Sequence, residues 1–167
     1  MRIAQIRDMD ISNGIGIAAS IFFQGCSHHC IGCFNAETWA FNAGKELTKD
    51  IEDQFIDICN RPYIKCVSML GGEPFDQDPV ELYNLLSRLK KEVGKPIFVW
   101  SGYTFEQLIN KEVIKDCFIN GLIDVLVDGK FDLSQRDLTL KLRGSKNQRI
   151  IDVKETIKQN KIITIQN

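Results

Sequence analysis

The feature that most restricts the fold of this 167-residue chain is a set of short, continuous apolar runs separated by amphipathic segments. The runs span Ala18 to Phe23, Cys66 to Leu70, Ile97 to Ser101 and Leu122 to Val127, followed by a weaker, alternating Arg149 to Asp152 and a final Ile162 to Ile165. Continuous apolarity predicts strands covered on both faces, as in a parallel sheet. The intervening segments have readable helix starts. Asp78, Pro79 and Glu81 supply an N-cap, a first-turn proline and an acidic first turn, after which Leu82, Leu85, Leu86, Leu89 and Val93 share one helical face. Thr48 can cap a helix carrying Ile51, Phe55 and Ile58, and Thr104 with Gln107 forms a capping box. Alternating strands and helices predict an open or partly closed α/β sheet with right-handed crossovers, built as one domain over residues 1–167.

In sheets of this class the working site lies at the carboxyl ends of the strands. The segments that follow the first four runs are the cysteine loop "CSHHCIGC" (26–33), "GGEP" (71–74), "SGY" (101–103) and "DGK" (128–130). All four therefore belong to one edge of the sheet.

A formal charge of −1 excludes a nucleic-acid footprint and attraction to acidic membranes. No apolar run approaches the roughly 18 residues that span a bilayer, and the first ten residues lack the apolar core of a secretion signal, so a cytoplasmic chain is expected. There, Cys26, Cys30 and Cys33 are metal ligands rather than disulfide partners. Cys59, Cys66 and Cys117 sit among apolar neighbours and read as packing thiols. Clustered thiolates suit zinc or iron–sulfur centres. Zinc would need a fourth ligand such as His28 or His29, crowded into the same loop, and would make the chain a zinc-stabilised binding module. An electron carrier would need Cys59 or Cys66 to fold over. A cubane on three cysteines would leave one iron open, with the histidines as polar loop residues facing a partner or donor.

The C-x3-C-x2-C loop after the first run, joined to "GGEP" after the second, resembles the radical S-adenosylmethionine superfamily. The longer segments "DISNGIGIAASIFFQGC", "CIGCFNAETW", "MLGGEPF", "VWSGYT", "DVLVDGKF" and "LRGSKNQRIIDV" are similar to its branch of activating proteins for anaerobic, class III ribonucleotide reductase. The resemblance implies a partial (βα)6-type barrel with mostly parallel strands. It also implies a 4Fe-4S cluster on Cys26, Cys30 and Cys33, with S-adenosylmethionine chelating the open iron. One electron from a donor such as a flavodoxin would cleave the sulfonium, and the adenosyl radical would take hydrogen from a backbone glycine of the reductase's large subunit. Activation of another glycyl-radical enzyme, or small-molecule radical chemistry, is the nearest alternative.

Cofactor contacts implied by the resemblance are Gly32, Cys33, Phe34, Gly71, Gly72, Glu73, Pro74, Ser101, Asp128 and Lys130. Gly71 and Gly72 would allow close backbone approach and unusual φ, Glu73 would accept from an ammonium group, and Pro74 would set the turn. Lys130 would meet the cofactor's carboxylate or ribose region. Phe98 and Trp100 are expected in the core. Lys141, Arg143, Lys146 and Arg149 with Gly144 form a basic loop, read as solvated or as holding cofactor or partner. Two departures from the pattern are Gly32, where the superfamily tends to carry an aromatic residue, and Ile15, where relatives often carry proline.

Overall fold

The computed structural model describes residues 1–166. Seven strands, β1 (Arg2–Asp10), β2 (Ile17–Phe23), β3 (Lys45–Glu46), β4 (Ile64–Gly71), β5 (Ile97–Trp100), β6 (Val125–Asp128) and β7 (Arg149–Asp152), form one sheet in the order β3-β1-β2-β4-β5-β6-β7. The central four, β2-β4-β5-β6, are parallel, whereas β1 pairs antiparallel with β2 and β3, and β7 antiparallel with β6. The helices are α1 (Lys49–Asn60), α2 (Pro79–Glu92), α3 (Phe105–Leu108), α4 (Glu112–Ile119) and α5 (Val153–Gln159). The sheet is open, with β3 and β7 at its edges, so the barrel expected from the resemblance is not closed. Only α1, α2 and the α3–α4 pair bridge parallel strands; residues 129–148, between β6 and β7, hold no α-helix. Without that crossover the last strand returns antiparallel.

Strand parity explains where the core lies, since successive side chains point to opposite faces. Ala19, Ile21, Phe23, Val67, Met69, Ile97, Val99, Leu126 and Ile151 join the helix residues Phe55, Leu82, Leu86, Leu108, Cys117 and Phe118 in the main core. Ala18, Cys66, Phe98, Val125, Val127 and Ile150 form a second, smaller cluster with Trp100 and Leu142. The helices thus cover one face only, which corrects the expectation of two covered faces. Small polar Ser20 and Ser68 interrupt the apolar pattern of the second face, and both are fully buried.

The predicted helix starts are present. Asp78 Oδ1 accepts from Val80 N and Glu81 N, Thr48 caps α1 through Ile51 N, and Thr104 and Gln107 make a reciprocal capping box. The final run, 162–165, contributes an isolated bridge from Thr164 to Ile151 rather than a strand. Strand β1 escaped the sequence pattern because register shifts between Ile3 and Gln5 and between Arg7 and Asp10 break its two-residue period.

Candidate functional site

The cysteine loop is tied at its neck. Gly25 N donates to Thr38 O at 2.8 Å and Cys26 N to Trp39 O at 3.1 Å, while buried Gln24 donates its side-chain amide to Ala40 O at 2.8 Å. Parallel pairing then carries the loop onto the GGEP turn: Gly72 N donates to Phe23 O at 2.9 Å and Glu73 N to Gly25 O at 2.8 Å. Gly71 has φ +107, and a Cβ at Gly72 would lie 2.3 Å from Gly25 O. The bare backbone at Gly72 is therefore required first by the neck of the cysteine loop. Pro74 is buried and starts a 3-10 turn.

Glu73 is 1% exposed and fully engaged. Its Oε1 accepts from Ser101 Oγ at 2.9 Å and Phe75 N at 3.0 Å, and its Oε2 from Gly102 N at 2.7 Å and lies 3.1 Å from His28 Nε2. His28 is thus an internal contact rather than a solvent-facing loop residue; its side chain is 6% exposed. His29 is exposed, has φ +48 and stacks on Trp39.

A cavity of about 420 Å³ lies on the face of the sheet that the helices leave free. The three thiols border it, together with Phe34, Gly71, Gly72, Glu73 and Ser101, over Phe22, Leu70 and Trp100. Four sequence-proposed residues lie outside its lining. Gly32 is at the exposed loop tip and Pro74 is buried beneath the turn. Asp128 is 1% exposed and turned toward Phe105 N (2.7 Å) and Arg149 (Nε, 2.9 Å; Nη2, 2.5 Å). Lys130 is exposed to solvent, and its carbonyl accepts from Asn147 Nδ2. Position in a motif selects an edge of the sheet; the pleat decides which side chains face the cavity.

The cavity also gathers residues that strand patterning did not single out. Trp100, expected in the core, lines it and donates Nε1–H to Leu142 O at 2.6 Å. Asn13 lines it from the β1–β2 loop, and Phe131 and Gln148 from the β6–β7 connection. From the basic segment, Arg143 and Gly144 face the cavity, with Arg143 Nη1 donating to Gln148 O at 2.6 Å and Gly144 seated against Phe34 and Phe131. Lys146 instead pairs with Asp137 on the surface, and Arg149 joins Glu106 to Asp128. The signal for Arg143 and Gly144 was the "RGSKNQR" segment itself.

Burial pushes the Cys26 thiol up to about 11, assisted by the nearby Glu73 charge, and burial also raises Cys30. Metal binding at these groups would displace protons. Among the described residues no three His, Cys, Asp or Glu side chains gather closely enough to hold a single metal ion. Three soft donors bordering one cavity fit a polynuclear iron–sulfur centre better than one closed tetrahedral ion. Cys59, Cys66 and Cys117 are fully buried and outside the cavity lining, as expected of packing thiols, so neither Cys59 nor Cys66 closes the ligand set.

Comparison with known proteins agrees with this donor set. A family model described as a 4Fe-4S single cluster domain matches residues 12–151. The anaerobic ribonucleoside-triphosphate reductase-activating protein of Escherichia coli K12 is 40% identical over 152 residues, covering 89% of this chain and 96% of that protein. Proteins of the same name from Vibrio cholerae and bacteriophage T4 are 36% and 34% identical over 89% and 90% of this chain, and 96% and 93% of theirs. The chain belongs to this family of activating proteins. The segment matched to the family's 4Fe-4S domain contains the three loop cysteines, the GGEP turn and the cavity lining from Ser12 to Gln148. No helix among the described residues is long and apolar enough to cross a membrane.

Proposed function

We propose that this chain activates the large subunit of an anaerobic ribonucleotide reductase by installing a glycyl radical on it. The observation that carries the reading is that Cys26, Cys30 and Cys33 border one cavity together with Gly71, Gly72 and Glu73, in a chain whose relatives are named as activating proteins of that reductase. Cys26, Cys30 and Cys33 would hold the 4Fe-4S cluster. With S-adenosylmethionine bound, that centre would supply one-electron reductive chemistry at the sulfonium, directed at hydrogen removal from a glycine of the reductase.

The remaining work falls to the chain's own groups. Gly71 and Gly72 hold the turn against the loop neck, and Glu73 ties that turn to Ser101 and Gly102 after β5. Phe22, Leu70 and Trp100 give the cavity an apolar floor that excludes water from a reactive species. Phe34, Ser101, Arg143 and Gln148 are the polar and aromatic candidates for contact with the cofactor. Asp128 and Lys130 act on it only indirectly, through the turn that they bracket. A one-electron donor such as a flavodoxin supplies the electron, and the cytoplasm is the compartment in which these partners meet.

The test is anaerobic reconstitution with iron and sulfide, reduction, and electron paramagnetic resonance with and without S-adenosylmethionine, followed by mixing with the reductase. A 4Fe-4S signal that changes with the cofactor, and a glycyl-radical doublet on the reductase, are the expected results. A cluster indifferent to the cofactor returns the loop to electron transfer. A cofactor-sensitive cluster without the doublet assigns the chain to a different radical substrate.

A further inference from the structure

The cysteine loop is held by side chains from two other loops. Ser27 N donates to Asp76 Oδ2 at 2.7 Å, and Asp76 Oδ1 accepts from Tyr103 Oη at 2.7 Å. One residue further on, the His28 ring meets Tyr103 edge-on, with centroids 4.4 Å apart, and its Nε2 lies 3.1 Å from Glu73 Oε2. The seat of that ring is Gly102, where a Cβ would lie 2.3 Å from His28 Cδ2. Gly102 N donates to the same Glu73 oxygen at 2.7 Å. Three loops thus interlock on a residue midway between Cys26 and Cys30.

Beyond the stacking of His29 on Trp39, the rest of the loop has few ties to other segments. Among the described residues, the backbone groups of 28–32 make no backbone hydrogen bond to another segment, His29 and Gly32 have positive φ, and Ile31 is 80% exposed. A carboxylate has only acceptors, so the ring nitrogen that faces Glu73 is the N–H donor. Such a charge-assisted bond in a buried setting is stronger than an exposed neutral one.

We propose that His28 is a positioning residue: seated over Gly102 and bonded to Glu73, it holds Cys26 and Cys30 toward the cavity in the arrangement a three-thiolate cluster site requires. This rests on the reading of the loop as the cluster site, and it gives Glu73 a role toward the cysteines.

The test compares wild type with His28→Ala, His28→Gln and Gly102→Ala in two assays. In the reconstituted holoprotein, iron transfer to a ferrous chelator is timed under anaerobiosis. In the metal-free full-length chain, Cys26 alkylation by iodoacetamide is followed by mass spectrometry, with circular dichroism to confirm the fold. His28→Ala and Gly102→Ala accelerate both processes by about tenfold or more, because loss of the bond releases the segment to open locally. His28→Gln, whose amide nitrogen can still donate to Glu73, stays within about threefold of wild type. Gly102→Ala leaves both bonding partners in place and serves if His28→Ala does not fold. The proposal is overturned if folded His28→Ala or Gly102→Ala alkylates at the wild-type rate, or if His28→Gln is as fast as His28→Ala. If no protein retains iron, the cluster reading fails, while the Cys26 rates still decide the role of His28.

Discussion

Replacing Glu73 by glutamine preserves the shape of the side chain and removes half of its accepting capacity. Four donors converge on the carboxylate: Ser101 Oγ and Phe75 N on one oxygen, Gly102 N and His28 Nε2 on the other. The Ser101 hydroxyl can rotate and the His28 imidazole can exchange tautomers to accept from an amide, but the two backbone N–H groups cannot. Either orientation of the glutamine therefore sets its NH2 against Phe75 N or Gly102 N. One buried donor left unsatisfied costs about 1–3 kcal/mol, and loss of charge assistance in the other bonds adds to it, for a total of about 2–4 kcal/mol. For a domain of this length that lowers Tm by roughly 5–15 °C. The assay is urea and thermal unfolding of the metal-free, reduced chain at pH 7. A Glu73→Gln protein within about 0.5 kcal/mol of wild type, with an unchanged denaturant slope, refutes the assignment of Glu73 as the polar centre of the site.

Arg149→Met leaves the Asp128 carboxylate, 1% exposed, with only Phe105 N and should cost about 3 kcal/mol in urea unfolding. The same arginine holds the Glu106 carboxyl down to about 2, below its unfolded value of 4.5, so that contribution is present above about pH 4.5 and is lost as pH falls toward 2; because Glu106 is largely exposed it amounts to less than about 1 kcal/mol, and Arg149→Met should flatten this acid limb. Gly72→Ala drives a methyl group into the Gly25 carbonyl and should cost about 1–3 kcal/mol while reducing iron bound per chain after reconstitution, measured by metal analysis. Burial pushes the Cys59 and Cys117 thiols up to about 12 from 9.0, so the native chain keeps protons that the unfolded chain releases, and stability should fall as pH rises from about 9 to 12; Cys59→Ala with Cys117→Ala should flatten that slope in pH-dependent urea melts.

The parallel centre of the fold was legible because β2, β4, β5 and β6 are continuous apolar runs, and α2 because Asp78, Pro79 and the leucine spacing are local signals. The edge strand β1 was not, since its bulges scramble the period that would reveal it. The second face misled in a different way. Continuous apolarity there reflects a small cluster and the floor of a cavity, which a one-dimensional pattern cannot distinguish from a helix-covered surface.

By itself the sequence determined the chemistry on offer: three thiols on one loop, a glycine-rich turn after the next strand, and their arrival at the same sheet edge. Those are consequences of residue type and of strand order along the chain. Only the tertiary structure decided which neighbours face the cavity. It turned Asp128 away toward Arg149, brought Trp100 and Arg143 in, and set His28 over Gly102 against Glu73. Such contacts join residues 21 to 74 positions apart, and their geometry depends on pleat, crossover and loop packing rather than on any local pattern.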